Sequence, residues 1–171
     1  MTRVLTGLLL AGLCGTAAAD VTLTGENTKI EFTGKKPDGK HDGGFKKLAG
    51  TWTAPGGDAT KGQLDVTIET PSIFSDNLVL TNHLRNQDFF DVKTHKTATF
   101  KSTKIEKDGD RYKVTGDLTL LGKTKSISFP AEIKGNALKS AFSIDRTEFG
   151  MTYGKGKVDD KVELRVTVDG K

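Results

Sequence analysis

Cysteine and histidine are scarce in this 171-residue sequence, which contains one cysteine and three histidines. The cysteine, Cys14, lies in an apolar segment near the N-terminus, so no thiol is left in the rest of the chain for a disulfide, a nucleophile or a metal ligand. His41, His83 and His95 form no close pair and show no HExxH spacing. The sequence therefore indicates neither a disulfide framework nor a metal site.

Catalytic motifs are also missing. There is no G-x-S-x-G sequence for a serine nucleophile and no glycine pattern of the Rossmann or P-loop type. Paired carboxylates such as Asp159 and Asp160 lie in a turn, where solvation accounts for them. The sequence gives no argument for catalysis, and we predict that the protein is not an enzyme and has no catalytic residue or metal.

Charge of one sign is nowhere concentrated. The whole chain carries a net charge of +4, and basic and acidic residues alternate in stretches such as "KIEKDGDRYK" and "KVDDKVELR". Alternation is typical of solvated strand faces, whereas a nucleic-acid site needs a basic patch. We predict no nucleic-acid partner.

Long apolar runs are missing except at the start of the chain. Arg3 precedes the apolar stretch "VLTGLLLAGLCG", and "AAA" follows at residues 17–19. The run is too short to span a bilayer, and this order is typical of a secretory signal peptide. We predict a signal peptide at residues 1–19, cleavage after Ala19, and a periplasmic or secreted mature domain at residues 20–171.

What the sequence does contain is alternation of apolar and polar residues. "KIEFTG", "QLDVTIET", "RYKVTGDLTL", "SISFPAEIKG", "SAFSIDR" and "KVELRVTVDG" all have the period of two that a half-buried strand shows. Three further segments, "VTLTG", "FKKLAGTWT" and "TATFKSTKIE", are weaker strand candidates. The short turns between them predict an all-β, antiparallel fold.

One region has no strand pattern. Residues 72–92, "SIFSDNLVLTNHLRNQDFFDV", favour a short helical segment that caps one end of the fold. Residues 35–44 and 54–62 are rich in glycine and polar side chains and are predicted to be flexible loops.

Closure into a barrel removes exposed sheet edges, so we favour a barrel over a two-sheet sandwich. An eight-stranded barrel is just wide enough to be filled by side chains or to hold one small ligand. Periodicity alone leaves both a filled core and a lined cavity open.

Four stretches carry a resemblance to a known family. "HLRNQDFFDVKTHKTATFKSTKI", "VTGDLTLLGKTKSISF", "FSIDRTEFGM" and "VELRVTVDG", in this order, resemble the YceI-like family of bacterial polyisoprenoid-binding proteins. The resemblance implies a single antiparallel, lipocalin-like, eight-stranded β-barrel over residues 20–171. It also implies non-enzymatic binding, transport or sequestration of a long isoprenoid lipid, such as a polyprenyl phosphate or a quinone, with no other cofactor. Transient membrane contact is compatible with such a role, and the oligomeric state is not indicated.

The ligand-binding prediction combines the apolar strand faces with the helical cap. The predicted ligand-binding residues are Phe32, Phe45, Trp52, Val66, Ile68, Leu80, Leu84, Arg85, Phe89, Phe90, Phe100, Leu118, Leu120, Phe129, Phe142, Phe149 and Met151.

Within this set, Arg85 is placed near a lipid head group. Phe149 and Met151 are expected to border the same cavity as Phe129 and Phe142. The alternative function is a structural or stress-related barrel whose core is filled and which acts through its surface.

Overall fold

The computed structural model describes residues 20–170, and the predicted signal peptide lies outside the described residues. This part of the chain forms eleven strands and one α-helix, with short 3-10 turns between some of them. The strands are β1 Val21–Thr24, β2 Thr28–Lys36, β3 Gly39–Phe45, β4 Leu48–Thr53, β5 Gln63–Glu69, β6 Ile73–Ser75, β7 Thr97–Asp108, β8 Arg111–Leu120, β9 Lys123–Lys134, β10 Ala137–Asp145 and β11 Lys161–Val168. The helix α1 is Leu78–Leu84.

All eleven strands belong to one antiparallel sheet, in the order β1-β4-β5-β7-β8-β9-β10-β11-β2-β3-β6. β1 stands at one end of this order and β2 near the other, although only residues 25–27 separate them in the chain. The sheet therefore curls until its two ends approach each other and is barrel-like. The predicted all-β, antiparallel fold with a short helix is confirmed.

The predicted count of eight strands is not confirmed, because three stretches of extended chain are each interrupted. The breaks lie between β1 and β2, between β3 and β4, and between β5 and β6. Pro71, which cannot donate a hydrogen bond, occupies the last break in a 3-10 turn. At the first break, a side chain at position 25 would collide with the carbonyl group of Lys46. The chain bends at these points, and the bends divide the long strands.

The prediction of a flexible loop at residues 35–44 is wrong. This segment is the tip of a regular hairpin in which β2 pairs with β3, with Phe32 opposite Gly43. The ring of Phe32 lies where a side chain at position 43 would lie, and the carbonyl oxygen of Phe74 crowds the same space. The glycine therefore serves close packing between strands rather than flexibility.

The helix α1 is held against the sheet by polar contacts. The side chain of Asn77 caps its start by accepting a hydrogen bond from the backbone N–H of Leu80 at 3.0 Å. The hydroxyl of Thr81, on the buried face, accepts from the backbone N–H of Ser75 in β6 at 2.9 Å. The predicted helical cap in residues 72–92 is confirmed, and it lies at the end of the barrel that holds the β2–β3 hairpin tip.

Candidate functional site: an apolar cavity and its mouth

One end of the barrel contains a cavity of about 360 Å³. Ten of the predicted ligand-binding residues line it: Phe32, Phe45, Ile68, Leu80, Leu84, Phe89, Phe90, Leu118, Leu120 and Met151. Further apolar wall residues that the prediction did not include are Ile30, Ala98, Ile144, Val162 and Leu164. The walls therefore come from strands all around the curled sheet and from α1.

A layer of aromatic rings, Phe100, Phe129 and Phe142, forms what we call the floor. The Phe129 and Phe142 rings stack with their centres 4.3 Å apart, and the Phe100 ring lies 5.4 Å from Phe129. Phe100 follows the wall residue Ala98 by two positions in β7, and Phe142 precedes the wall residue Ile144 by two positions in β10. The floor residues thus face inward like the wall residues but lie one layer farther from the open end.

Three other predicted residues also lie outside the cavity. Val66 stands two positions before Ile68 on β5, on the same inward side, and is buried in the core. Trp52 and Phe149 are essentially inaccessible to solvent, at 0% and 1% exposure, and pack in the same core. The expectation that Phe149 borders one cavity with Met151 is wrong, because Met151 lines the cavity wall and Phe149 does not.

Arg85 does not reach the cavity either. Its Nη2 donates to the carbonyl oxygen of Ile73 at 3.0 Å, so the guanidinium ties the end of α1 to β6. Arg85 and the residues that follow it, Asn86 to Asp88, line a separate polar depression. Arg85 therefore does not line this cavity, and its placement near a lipid head group stays a prediction.

Three segments form the open end of the cavity, which we call the mouth: the β2–β3 hairpin, α1, and the loop of residues 146–160. The hairpin contacts α1 through His41 Nδ1 and Asp76 Oδ1, 2.9 Å apart, just before the helix begins. The hairpin contacts the loop where the N–H of Asp159 donates to the carbonyl oxygen of Lys35 at 2.9 Å. The loop contacts α1 through Tyr153, whose ring centre lies 4.8 Å from that of His83. Each segment thus supports the next around the mouth.

Two basic side chains at the mouth, Lys35 and His83, are paired with carboxylates. Lys35 forms an ion pair with Glu163, and this hydrogen bond and charge raise the pKa of Lys35 and lower the pKa of Glu163. His83 Nε2 lies 2.8 Å from Asp88 Oδ2. The cavity below them is lined mainly by apolar side chains, so the interior suits an apolar chain.

Arg146 organises the loop of the mouth. Its side chain is 3% exposed and donates to the carbonyl oxygens of Met151, Tyr153, Val158 and Asp159, and to the carboxylate of Asp160. The distances run from 2.7 Å for Met151 to 3.2 Å for Asp160. The guanidinium therefore determines the path of the segment that carries Met151, Tyr153 and Val158 to the cavity.

No pattern in the sequence indicates these residues of the mouth. Arg146 is the last residue of the strand candidate "SAFSIDR", and Tyr153 belongs to a glycine- and lysine-rich stretch with no periodicity. The strand ends at Asp145, and Gly150 turns the chain in the left-handed conformation. The five oxygens that Arg146 contacts belong to irregularly spaced residues, so no periodic sequence pattern predicts these contacts.

Neither a metal site nor a membrane-spanning helix is found among residues 20–170. No cluster of three or more His, Cys, Asp or Glu side chains is arranged to hold a metal ion. In the same range, the helix is neither long nor apolar enough to cross a membrane.

Comparison with known proteins agrees with this architecture. The model of the YceI-like domain matches residues 21–169. The UPF0312 protein of Serratia proteamaculans (strain 568) is 33% identical over 138 residues, which are 75% of this chain and 72% of the relative. Protein YceI of Escherichia coli O157:H7 is 31% identical over 138 residues, with the same coverage.

Solved structures share the fold. BcnA of Burkholderia cenocepacia superposes with a TM-score of 0.76 at 25% identity, covering 84% of this chain and 96% of BcnA. A polyisoprenoid binding domain from Saccharophagus degradans has a TM-score of 0.67 at 14% identity, covering 90% and 97% of the two chains. The barrel-like sheet, the apolar cavity and the match over nearly all described residues lead to one conclusion: this chain belongs to the YceI-like family.

Proposed function

We propose that this protein binds a long-chain isoprenoid lipid in its cavity and sequesters or carries it without catalysing a reaction. The observation that carries the proposal is the cavity itself, which is walled by apolar side chains and open at one end. The polyisoprenoid binding domain with the same fold supports the choice of lipid class. Under this proposal, joining the interrupted strands gives a lipocalin-like barrel of eight strands.

The physical reason for such a carrier is the insolubility of its cargo. Each buried methylene contributes about 0.8 kcal/mol, so each five-carbon isoprene unit contributes about 3–4 kcal/mol when it leaves water. A cavity volume of about 360 Å³ lies within the usual range for small-molecule sites, roughly 300–1,000 Å³. Affinity would come from the chain, and the head group, a phosphate or a quinone, would remain at the mouth.

Our proposal includes the location. A signal peptide at residues 1–19 would deliver the mature domain to the periplasm or the medium, where a lipid cannot cross water unshielded. A barrel that is filled throughout and acts through its surface is the alternative, and the open cavity supports the binding function over it.

The test is to identify what the protein carries. Protein purified from its secreted fraction without detergent is extracted with organic solvent, and the extract is analysed by mass spectrometry. We expect an isoprenoid lipid in the wild type and little in Leu118→Trp, because the larger ring would occupy the cavity.

Asp117→Trp is a matched control, since residue 117 adjoins residue 118 but lies exposed on the outer face of β8. It should retain wild-type lipid content. Repeated extraction of no lipid from wild-type protein, or full lipid content in folded Leu118→Trp, would contradict the proposal.

A further inference from the structure

Two large aliphatic side chains at the start of α1 point into solvent. Leu78 is 82% exposed and Val79 is 80% exposed. Among the large apolar residues that the structure describes, only Tyr153, at 47%, is similarly accessible. The helix does not need these side chains for its own packing, because Leu80 and Leu84 line the cavity and Thr81 contacts β6.

The exposed pair lies beside the mouth. Val79 precedes His83 by four residues, so the two lie along one stripe of α1. The His83 ring contacts Tyr153, and both residues line the cavity. Val79 and Tyr153 therefore both lie next to His83 at the mouth, and Leu78 adjoins Val79 at the start of α1.

Lysines without acidic partners stand on the two other segments of the mouth. Lys36, in the β2–β3 hairpin, lines the cavity, and Lys155 and Lys157 lie in the loop between Tyr153 and Val158. All three are exposed, and none has a carboxylate within ion-pair distance among residues 20–170. Lys35 at the same mouth, by contrast, is paired with Glu163.

We propose that the mouth docks on an anionic phospholipid bilayer, with Leu78 and Val79 inserted among the lipids and the three lysines against the head groups. Aliphatic side chains that insert, a tyrosine at the interface and nearby lysines are the features by which proteins bind membrane surfaces. Docked this way, the cavity opens directly onto the bilayer. The inference rests on the proposed function in one respect: docking would let a lipid pass between the membrane and the cavity.

A second copy of this chain fits the same surface less well. A symmetric dimer through Leu78 and Val79 would bring the unpaired lysines of both copies towards each other. Two side chains also bury far less than the roughly 1,200–2,000 Å² of a stable interface. An anionic bilayer instead accommodates both the aliphatic pair and the lysines.

The test measures sedimentation with vesicles that contain no isoprenoid. One vesicle preparation is phosphatidylcholine mixed with phosphatidylglycerol, and the other is phosphatidylcholine alone. We expect wild-type protein to bind the mixed vesicles and to dissociate at high salt. Leu78→Ser/Val79→Ser should lower the partition coefficient by about tenfold, because partition follows the inserted apolar area.

Lys155→Gln/Lys157→Gln should also weaken binding by about tenfold, and Lys107→Gln/Lys134→Gln should not. Lys107 and Lys134 are exposed next to the β7–β8 and β9–β10 turns, which the alternating strand directions place at the far end of the barrel. Wild-type protein that binds neither preparation, or a serine variant that binds as the wild type does, would overturn the inference. So would dimerisation in solution that the serine variant abolishes.

A separate measurement keeps the two proposals apart. Uptake of a soluble short-chain isoprenoid is measured without vesicles, and the serine variant should take it up as the wild type does. Wild-type protein that takes up the isoprenoid but binds no vesicles refutes docking alone, whereas wild-type protein that binds vesicles but takes up no isoprenoid refutes only the proposed cargo.

Discussion

Phe149 and Met151 stand two residues apart in one turn but have different surroundings. Phe149 is packed in the core, whereas Met151 lines the cavity. We expect Phe149→Ala to lower the free energy of unfolding by about 3–5 kcal/mol, as for an emptied core site. Met151→Ala should destabilise less and weaken lipid affinity by roughly tenfold, since it removes apolar contact from the cavity wall. Urea unfolding and lipid titration measure the two effects, and the reverse pattern would show that the two roles are exchanged.

Arg146 holds the loop of the mouth through five hydrogen bonds. Arg146→Lys keeps the charge, but an ammonium group cannot reach five oxygens that a planar guanidinium contacts together. We expect a loss of about 2–4 kcal/mol in the free energy of unfolding, because several hydrogen bonds to a charged donor disappear.

The matched control is Arg165→Lys, at an arginine whose side chain is 47% exposed, lies 3.8 Å or more from its carboxylate partners and donates one side-chain hydrogen bond, to Thr33. It should change stability by less than about 1 kcal/mol. Equal losses of unfolding free energy in the two variants, measured by urea unfolding, would contradict this prediction. The buried contacts of Arg146 would then stabilise the fold no more than the exposed contacts of Arg165.

At this scale the sequence shows which way a side chain faces but not how deep it lies. Ala98 and Phe100 have the same alternation on β7, yet one lines the cavity and the other belongs to its floor. A period of two shows which face of the sheet a residue lies on but not its position along the barrel axis. That is why the prediction included Val66, Phe100 and Phe142 together with true wall residues.

At the scale of elements, the hairpin and the helix are joined by Asp76. Its carboxylate accepts from the backbone N–H of Asp42 at 3.1 Å and contacts His41. Both hydrogen bonds lower the pKa of Asp76, and the one from the backbone of Asp42 has the larger effect. A carboxyl group with a lowered pKa stabilises the fold above its ordinary pKa of about 4, and the contribution disappears as the pH falls through the lowered value.

Asp76→Asn should therefore lower the melting temperature at neutral pH, and its difference from wild type should shrink as the solution is made more acidic than about pH 4. Thermal unfolding at several pH values measures this. Asp110→Asn, in the exposed turn between β7 and β8, is the control and should change the melting temperature little. A difference for Asp76→Asn that grows towards acid pH would contradict this role.

Sequence patterns did not predict β3 of the hairpin, nor β6 within residues 72–92. Gly43 and Gly44 supply no apolar side chain, so β3 lacks the alternation by which the other strands were found. The missing side chain is supplied from the opposite strand by Phe32, whose ring covers Gly43. A pattern within one segment cannot show such compensation between segments.

At the scale of the whole molecule, the interior has two unlike halves. The end that holds Trp52, Leu23, Leu138 and Val114 is fully packed, and the end at the mouth encloses the cavity. Strand periodicity and the family resemblance were enough to anticipate one antiparallel barrel-like sheet. The division into halves depends on which inward residues are large and on where the strands bend, and neither is encoded in the alternation.

This division predicts how the lipid-free protein moves. Segments with fewer packed neighbours open locally at lower free energy than the global unfolding of the core. Amide hydrogens of α1, the β2–β3 hairpin and the loop of residues 146–160 should therefore exchange faster than those of β4 and β8 near Trp52 and Val114.

Bound lipid adds contacts at the mouth, so at short labelling times it should slow exchange most in those three segments. Hydrogen exchange followed by mass spectrometry, with and without lipid, measures this. Equal exchange at both ends of the lipid-free barrel would show that the cavity leaves its walls as stable as the packed core.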